Sequence, residues 1–161
     1  MILPVSCSIN LDFDKEKVWQ IISEPGNLNK VHPFCKSNTV VNWDKDKHED
    51  VLEYLNGVTL YRNFYNWDEG KGYELKIGRK NGRKSKVVWN ITGNKKTQLK
   101  ITVYPHVFSN RDKISYIITH TFFINPGLKR YLNSVLKGYK WYLENEQPVP
   151  RNQFGKHKWF S

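Results

Sequence analysis

The sequence predicts an α+β domain: a curved, seven-stranded antiparallel sheet wrapped around a long C-terminal helix, with two short helices after the first strand. Three observations carry this prediction. Strand chemistry recurs in hairpin succession over the middle of the chain, Pro25-Gly26 interrupts an early helical stripe, and apolar residues from Leu128 to Leu143 return at helical spacing. The length of 161 residues fits one domain, 1–161, with 147–161 as a C-terminal tail. Hydrophobic residues make up 39% of the chain, but Trp, Tyr and Phe alone reach 14%, and large rings bury enough area to exclude disorder.

Val5, Cys7, Ile9 and Leu11 alternate with Ser6, Ser8 and Asn10, as in a strand with one buried face. Asp14 then caps a helix whose stripe is Val18, Trp19, Ile21 and Ile22, and a short second helix follows near Leu28. Beyond His32-Pro33-Phe34, strands are expected over 39–43, 51–55, 58–67, 73–79, 85–92 and 99–104. A two-residue turn at Asn56-Gly57 would set Glu53 opposite Leu60. Val51, Glu53, Leu55, Val58, Leu60, Arg62 and Phe64 would then face inward, with Tyr54, Tyr61, Tyr65 and Trp67 on the convex side. Tyr73, Leu75 and Ile77 should share the inner face with Val87, Trp89 and Ile91, and Leu99, Ile101 and Val103 complete it. A tight Asn81-Gly82 turn would break that match, so a longer loop or a bulge with Gly82 at positive φ is expected.

Leu128, Tyr131, Leu132, Val135, Leu136, Tyr139, Tyr142 and Leu143 form one helical stripe. Asn125-Pro126 supplies a start signal, and Pro148 and Pro150 forbid continuation beyond about Glu146, giving a rod of roughly 30 Å. Gly138 inside this helix implies a close approach, most simply tight packing against the sheet. The run 114–124 is β-branched yet also carries a helical stripe, and it is assigned to a helix or an apolar flap before the long helix.

Composition narrows the function classes. Lys and Arg number 26 against 15 Asp and Glu, a net charge of +11 that attracts phosphates, anionic headgroups or acidic partners. Cys7 and Cys35 form no CxxC pair, and the five histidines lack metal-ligand spacing, so neither a disulfide scaffold nor a metal is expected, and no cofactor is implied. A Gly-rich phosphate loop and a nucleophile elbow are absent. The N-terminus lacks the basic start and apolar run of a signal peptide, and 114–124 falls short of the about 20 apolar residues of a membrane span. A cytoplasmic location is expected. Basic residues cluster at Arg79, Lys80, Arg83, Lys84 and Lys86, with no recognised module for nucleic acid, so they are assigned to a solvated tip. The tail segment Lys156-His157-Lys158-Trp159-Phe160 either touches an anionic membrane or folds back over the domain.

The order of elements resembles the helix-grip fold of START-like and polyketide cyclase/dehydrase-like proteins. Val18-Trp19-Gln20-Ile21-Ile22, Gly26-Asn27-Leu28, His32-Pro33-Phe34, Tyr54-Leu55-Asn56-Gly57 and Gly70-Lys71-Gly72-Tyr73 resemble a bacterial branch of that superfamily, often labelled SRPBCC. So do Gly138-Tyr139-Lys140-Trp141-Tyr142 and Pro150-Arg151-Asn152-Gln153-Phe154-Gly155, and the likeness covers nearly the whole chain. It implies a deep cavity between sheet and helix for lipids, polyketides or other apolar molecules, with no catalytic motif to carry over.

Within that frame Glu53 and Arg62 lie diagonally on the inner face, as an anchor for a ligand's polar head or as a structural salt bridge. His32 falls where such folds have a cavity mouth and either binds a polar group or sits exposed in a loop. Tyr73, Trp89 and Tyr104 are ring contacts for a ligand or plain core, with Tyr104 of outward parity. The expected function is binding or carriage of a small to medium hydrophobic ligand. The alternatives are a cyclase/dehydratase-like enzyme using Glu53 or His32 as acid or base, and an adaptor for anionic surfaces.

Overall fold

The computed structural model describes residues 3–106 and 112–161, except for the side chain of Lys113. Strand β1 (Val5–Leu11) is followed by α1 (Lys15–Ser23) and α2 (Leu28–Val31). Six strands come next: β2 (Cys35–Asp44), β3 (Lys47–Tyr54), β4 (Thr59–Asp68), β5 (Gly72–Gly78), β6 (Lys84–Gly93) and β7 (Thr97–Tyr104). They form one curved antiparallel sheet in the order β1-β7-β6-β5-β4-β3-β2, so β1 closes onto the last strand and each other neighbour is a hairpin partner. Asp14 caps α1 as expected, its carboxylate accepting from the Lys17 N–H at 2.7 Å.

From Lys113 onward the chain is helical: α3 (Lys113–Thr119), a π-helical turn (His120–Ile124) and α4 (Asn125–Asn145) run on without a break. Asn125 is therefore not an N-cap; it is itself helical, and its Oδ1 is buried with no hydrogen-bond partner among the described residues. Pro126 cannot donate back to the preceding turn, and the π-helical turn is the local adjustment that keeps the helix going through it. Asp112 caps this rod instead, accepting from the Ser115 N–H at 2.9 Å. At the far end Glu146 takes the left-handed conformation, φ 54°, and stops the helix where the prolines required. Leu132, Val135, Leu136, Tyr139 and Leu143 bury the stripe against the inner sheet face. In contrast Ile114, Ile118, Phe122 and Phe123 stand exposed on α3 and the π-helical turn.

Two departures from the expected register decide which side chains face the core. The β3–β4 connection is not a two-residue turn, because Leu55, Asn56 and Gly57 all lie in the loop. The Gly57 N–H donates to Tyr54 O, Gly57 takes φ +86°, and the Tyr54 N–H donates to Val58 O. Glu53 consequently pairs with Thr59, Leu52 with Leu60 and Asp50 with Arg62. One residue of slip turns β3 over relative to β4. Asp50, Leu52 and Tyr54 face inward, and Glu53 faces out. A bulge between Phe64 and Asn66 then turns Trp67 inward, where it stacks on Tyr73 at 5.2 Å rather than lying on the convex side.

The β5–β6 register is the expected one, Tyr73 opposite Trp89 and Leu75 opposite Val87. The connection is the longer loop 79–83, but Gly82 is not at positive φ. The tail folds back. Val149 N–H donates to Lys30 O at 2.8 Å, Asn152 N–H to Pro33 O at 2.9 Å, and Asn56 Nδ2 to Trp159 O at 2.8 Å. Cys7 and Cys35 are free thiols, and burial pushes Cys35 up to about 12, so it stays protonated. Among the described residues no helix is long and apolar enough to cross a membrane.

Candidate functional site

A cavity of about 560 Å³ lies between the inner sheet face and α4. Leu52, Leu75, Trp89, Ile101, Leu132 and Val135 supply apolar walls. Beneath it Tyr73, Asn27 and Tyr139 tie the sheet to α1 and the start of α2 to α4: Tyr73 Oη donates to Ile22 O of α1 at 3.1 Å, and Asn27 Nδ2, just before α2, to Tyr139 Oη at 3.3 Å. At the opposite end the rim is formed by the β5–β6 loop with Arg79 and Arg83, by Phe123, and by Trp159 and Phe160 of the tail. Phe160 stacks on Tyr54 at 4.3 Å, which makes the tail part of the cavity wall.

Three of the six site residues expected from sequence line this space: His32, Arg62 and Trp89. Glu53 does not, because the β3–β4 slip sends it to the outer face, where Lys36 Nζ (2.7 Å) and Ser37 Oγ (3.2 Å) hold its carboxylate. Tyr73 is buried below the floor, and Tyr104 points outward with the Lys86 ammonium over its ring. The partner of Arg62 is Asp50. Arg62 Nε donates to Asp50 Oδ1 at 2.7 Å and Nη2 to Oδ2, a two-pronged pair with Arg62 only 5% and Asp50 1% exposed. A signal for it existed in the sequence: the alternations Asp50-Leu52-Tyr54 and Leu60-Arg62-Phe64 place opposite charges face to face once the loop is one residue longer.

His32 is buried rather than exposed, since α2 ends there and packs beneath α4. Its Nδ1 accepts from the Phe34 N–H at 3.2 Å, and its Nε2 lies 2.9 Å from Tyr131 Oη. Tyr131 Oη lies 2.8 Å from Tyr54 Oη. Burial, reinforced by the positive charge of Arg62, lowers His32 to about 3, so the ring is neutral at pH 7. Burial also raises Tyr54 to about 12 and Tyr131 well above the ordinary phenol value, so both hydroxyls keep their protons. Sequence periodicity put Tyr131 in the helical stripe but had no means of aligning it with Tyr54, whose face depended on the β3–β4 loop.

The depressed His32 fixes a pH dependence. The unfolded ring takes up a proton below its ordinary 6.5, the folded ring only near 3, so stability is lost as pH falls through that window. Lowering pH from 7 to 5 is expected to cost about 2 kcal/mol through this group alone. Urea unfolding of the wild type and of His32→Phe at both pH values measures it: the increment should be absent in the variant, and equal increments would refute the assignment.

No family model and no curated protein matches the sequence. Solved structures do. A START superfamily protein from Mycobacterium smegmatis superposes with a TM-score of 0.68 at 14% identity, covering 89% of this chain and 99% of that one. The di-domain ARO/CYC BexL from the BE-7585A biosynthetic pathway gives 0.70 at 9% identity over 89% of this chain and 47% of its own. A conserved protein from Geobacillus kaustophilus gives 0.64 at 20% identity, covering 90% and 97%. Strand order, the two short helices, the long terminal helix and these superpositions agree: this chain has a START-like helix-grip fold.

Proposed function

We propose that the protein binds and carries a small to medium, largely apolar molecule, such as a lipid or polyketide, in the cavity between sheet and α4. The supporting observation is the cavity itself: a core that closed on its own side chains would leave few voids larger than a water molecule, whereas this one keeps about 560 Å³. His32, Arg62 and Trp89 are its proposed contacts, joined by Tyr54 and Tyr131. Native mass spectrometry after gentle purification, with titration by the apolar fluorophore N-phenylnaphthylamine, tests this. A retained apolar molecule or saturable one-to-one binding is expected, and the absence of both would end the proposal.

Gly127 offers a sharper probe of the cavity wall. A Cβ there would lie 2.3 Å from the Trp159 ring, a flexible side chain that can yield by moving the tail off α4. Gly127→Ala should therefore speed release of N-phenylnaphthylamine severalfold, while the better helix former keeps stability within about 1 kcal/mol of wild type. Unchanged release in stopped-flow would show that the tail does not gate the cavity.

A second reading, a polyketide cyclase/dehydratase-like enzyme, is supported by the Tyr54–Tyr131 pair, whose one hydroxyl proton not used between them could polarise a carbonyl in the cavity. Glu53 has no part in it, being held on the outer face.

A further inference from the structure

The polar atoms along one cavity wall do not balance. His32 Nδ1 accepts from the Phe34 N–H, so on the neutral ring the proton sits on Nε2, which donates to Tyr131 Oη. Tyr131 and Tyr54 share a single hydrogen bond at 2.8 Å, which consumes one of their two hydroxyl protons whichever of them donates. The chain His32–Tyr131–Tyr54 thus holds one O–H more than the described residues have acceptors for. All three side chains line the cavity. A buried donor left unpaired costs about 1–3 kcal/mol, so the place for its acceptor is the ligand.

Charge decides what kind of acceptor. Arg62 lines the same cavity, but Asp50 matches its charge in a two-pronged pair, and the Asp50 side chain is wholly buried behind it. A carboxylate brought to this wall would be desolvated with no net positive charge to meet it. Arg79 and Arg83 at the rim are exposed, and an anion held there would remain in water.

Resting on the carrier reading above, we infer that the ligand is an uncharged molecule with an acceptor oxygen, a ketone, ester or ether on an apolar body, which the spare hydroxyl of the Tyr54–Tyr131 pair receives.

The test compares acetylnaphthalene, ethylnaphthalene and naphthoate as displacers of N-phenylnaphthylamine from the full chain. The ketone should bind about tenfold tighter than the hydrocarbon, against their order of partition into apolar solvent, and tighter than the carboxylate. In the variant Tyr54→Phe/Tyr131→Phe, which removes both hydroxyls and leaves His32 Nδ1 to accept from the Phe34 N–H, and in the triple variant His32→Phe/Tyr54→Phe/Tyr131→Phe, the preference for ketone over hydrocarbon should fall to near unity. Equal binding of ketone and hydrocarbon to wild type, or tighter binding of naphthoate, overturns the inference and leaves carriage standing. A preference that survives in the triple variant assigns the donor to Arg62 Nη1 and overturns it as well. If no naphthalene compound and no fluorophore binds, the carrier reading fails first.

Discussion

Gly138→Ala is expected to destabilise the protein by about 3 kcal/mol, although alanine is the better helix former. Gly138 lies in the buried stripe of α4, and a Cβ there would sit 2.0 Å from Val31 O and 3.1 Å from Pro33 Cδ. The first neighbour is backbone at the end of α2, where Leu28 and Val31 are themselves buried, so nothing flexible can yield. Either α4 lifts from the sheet or α2 moves, and α2 carries His32 on its next residue. Loss of stability should therefore come with weakened N-phenylnaphthylamine binding, because the His32–Tyr131 contact shifts. Urea midpoints of Gly138→Ala and Gly127→Ala, two glycines of one helix, give the contrast. A Gly138→Ala midpoint equal to that of wild type would show that the helices separate freely, and the close approach would have no structural weight.

That close approach illustrates how far the sequence is legible. A glycine within an apolar stripe reveals that something comes near, but not what: packing against the sheet was the simplest expectation, and the neighbour is the carbonyl of α2. Strands and helices were readable because each buries one face, and burial writes its period into the chain. Register was readable only where two apolar faces had to match, as for Tyr73, Leu75, Val87 and Trp89. Between β3 and β4 both faces carry rings and charges, so pattern could not choose between a two-residue turn and a longer loop. That single residue moved Glu53 out of the site and brought Asp50 and Tyr54 into it. Likewise, Asn125-Pro126 has the chemistry of a helix start, yet α3 supplies a preceding turn on which the helix continues. The hydroxyl chain from His32 to Tyr54 joins α2, α4 and β3, three elements whose mutual placement no local pattern encodes.

The same slip makes the Asp50–Arg62 pair a test of the register. Asp50→Asn should cost about 4 kcal/mol, because the guanidinium would stay charged in a wall that excludes water and would lose the carboxylate that balances it. The pair itself is a different matter. Desolvating both ions offsets most of their attraction, so Asp50→Leu combined with Arg62→Met, which fills the space with apolar side chains, should be as stable as wild type or more so. Glu53→Gln, three residue pairs along the β3–β4 ladder and on the outer face, should change stability by well under 1 kcal/mol, since its contacts with Lys36 and Ser37 lie in water. Urea unfolding of these variants at pH 7 separates the two registers. With Glu53 as the inner partner of Arg62, the large loss would appear in Glu53→Gln and Asp50→Asn would be mild. A non-additive recovery in the Asp50/Arg62 double variant is the signature of two side chains in direct contact, and its absence would place them apart.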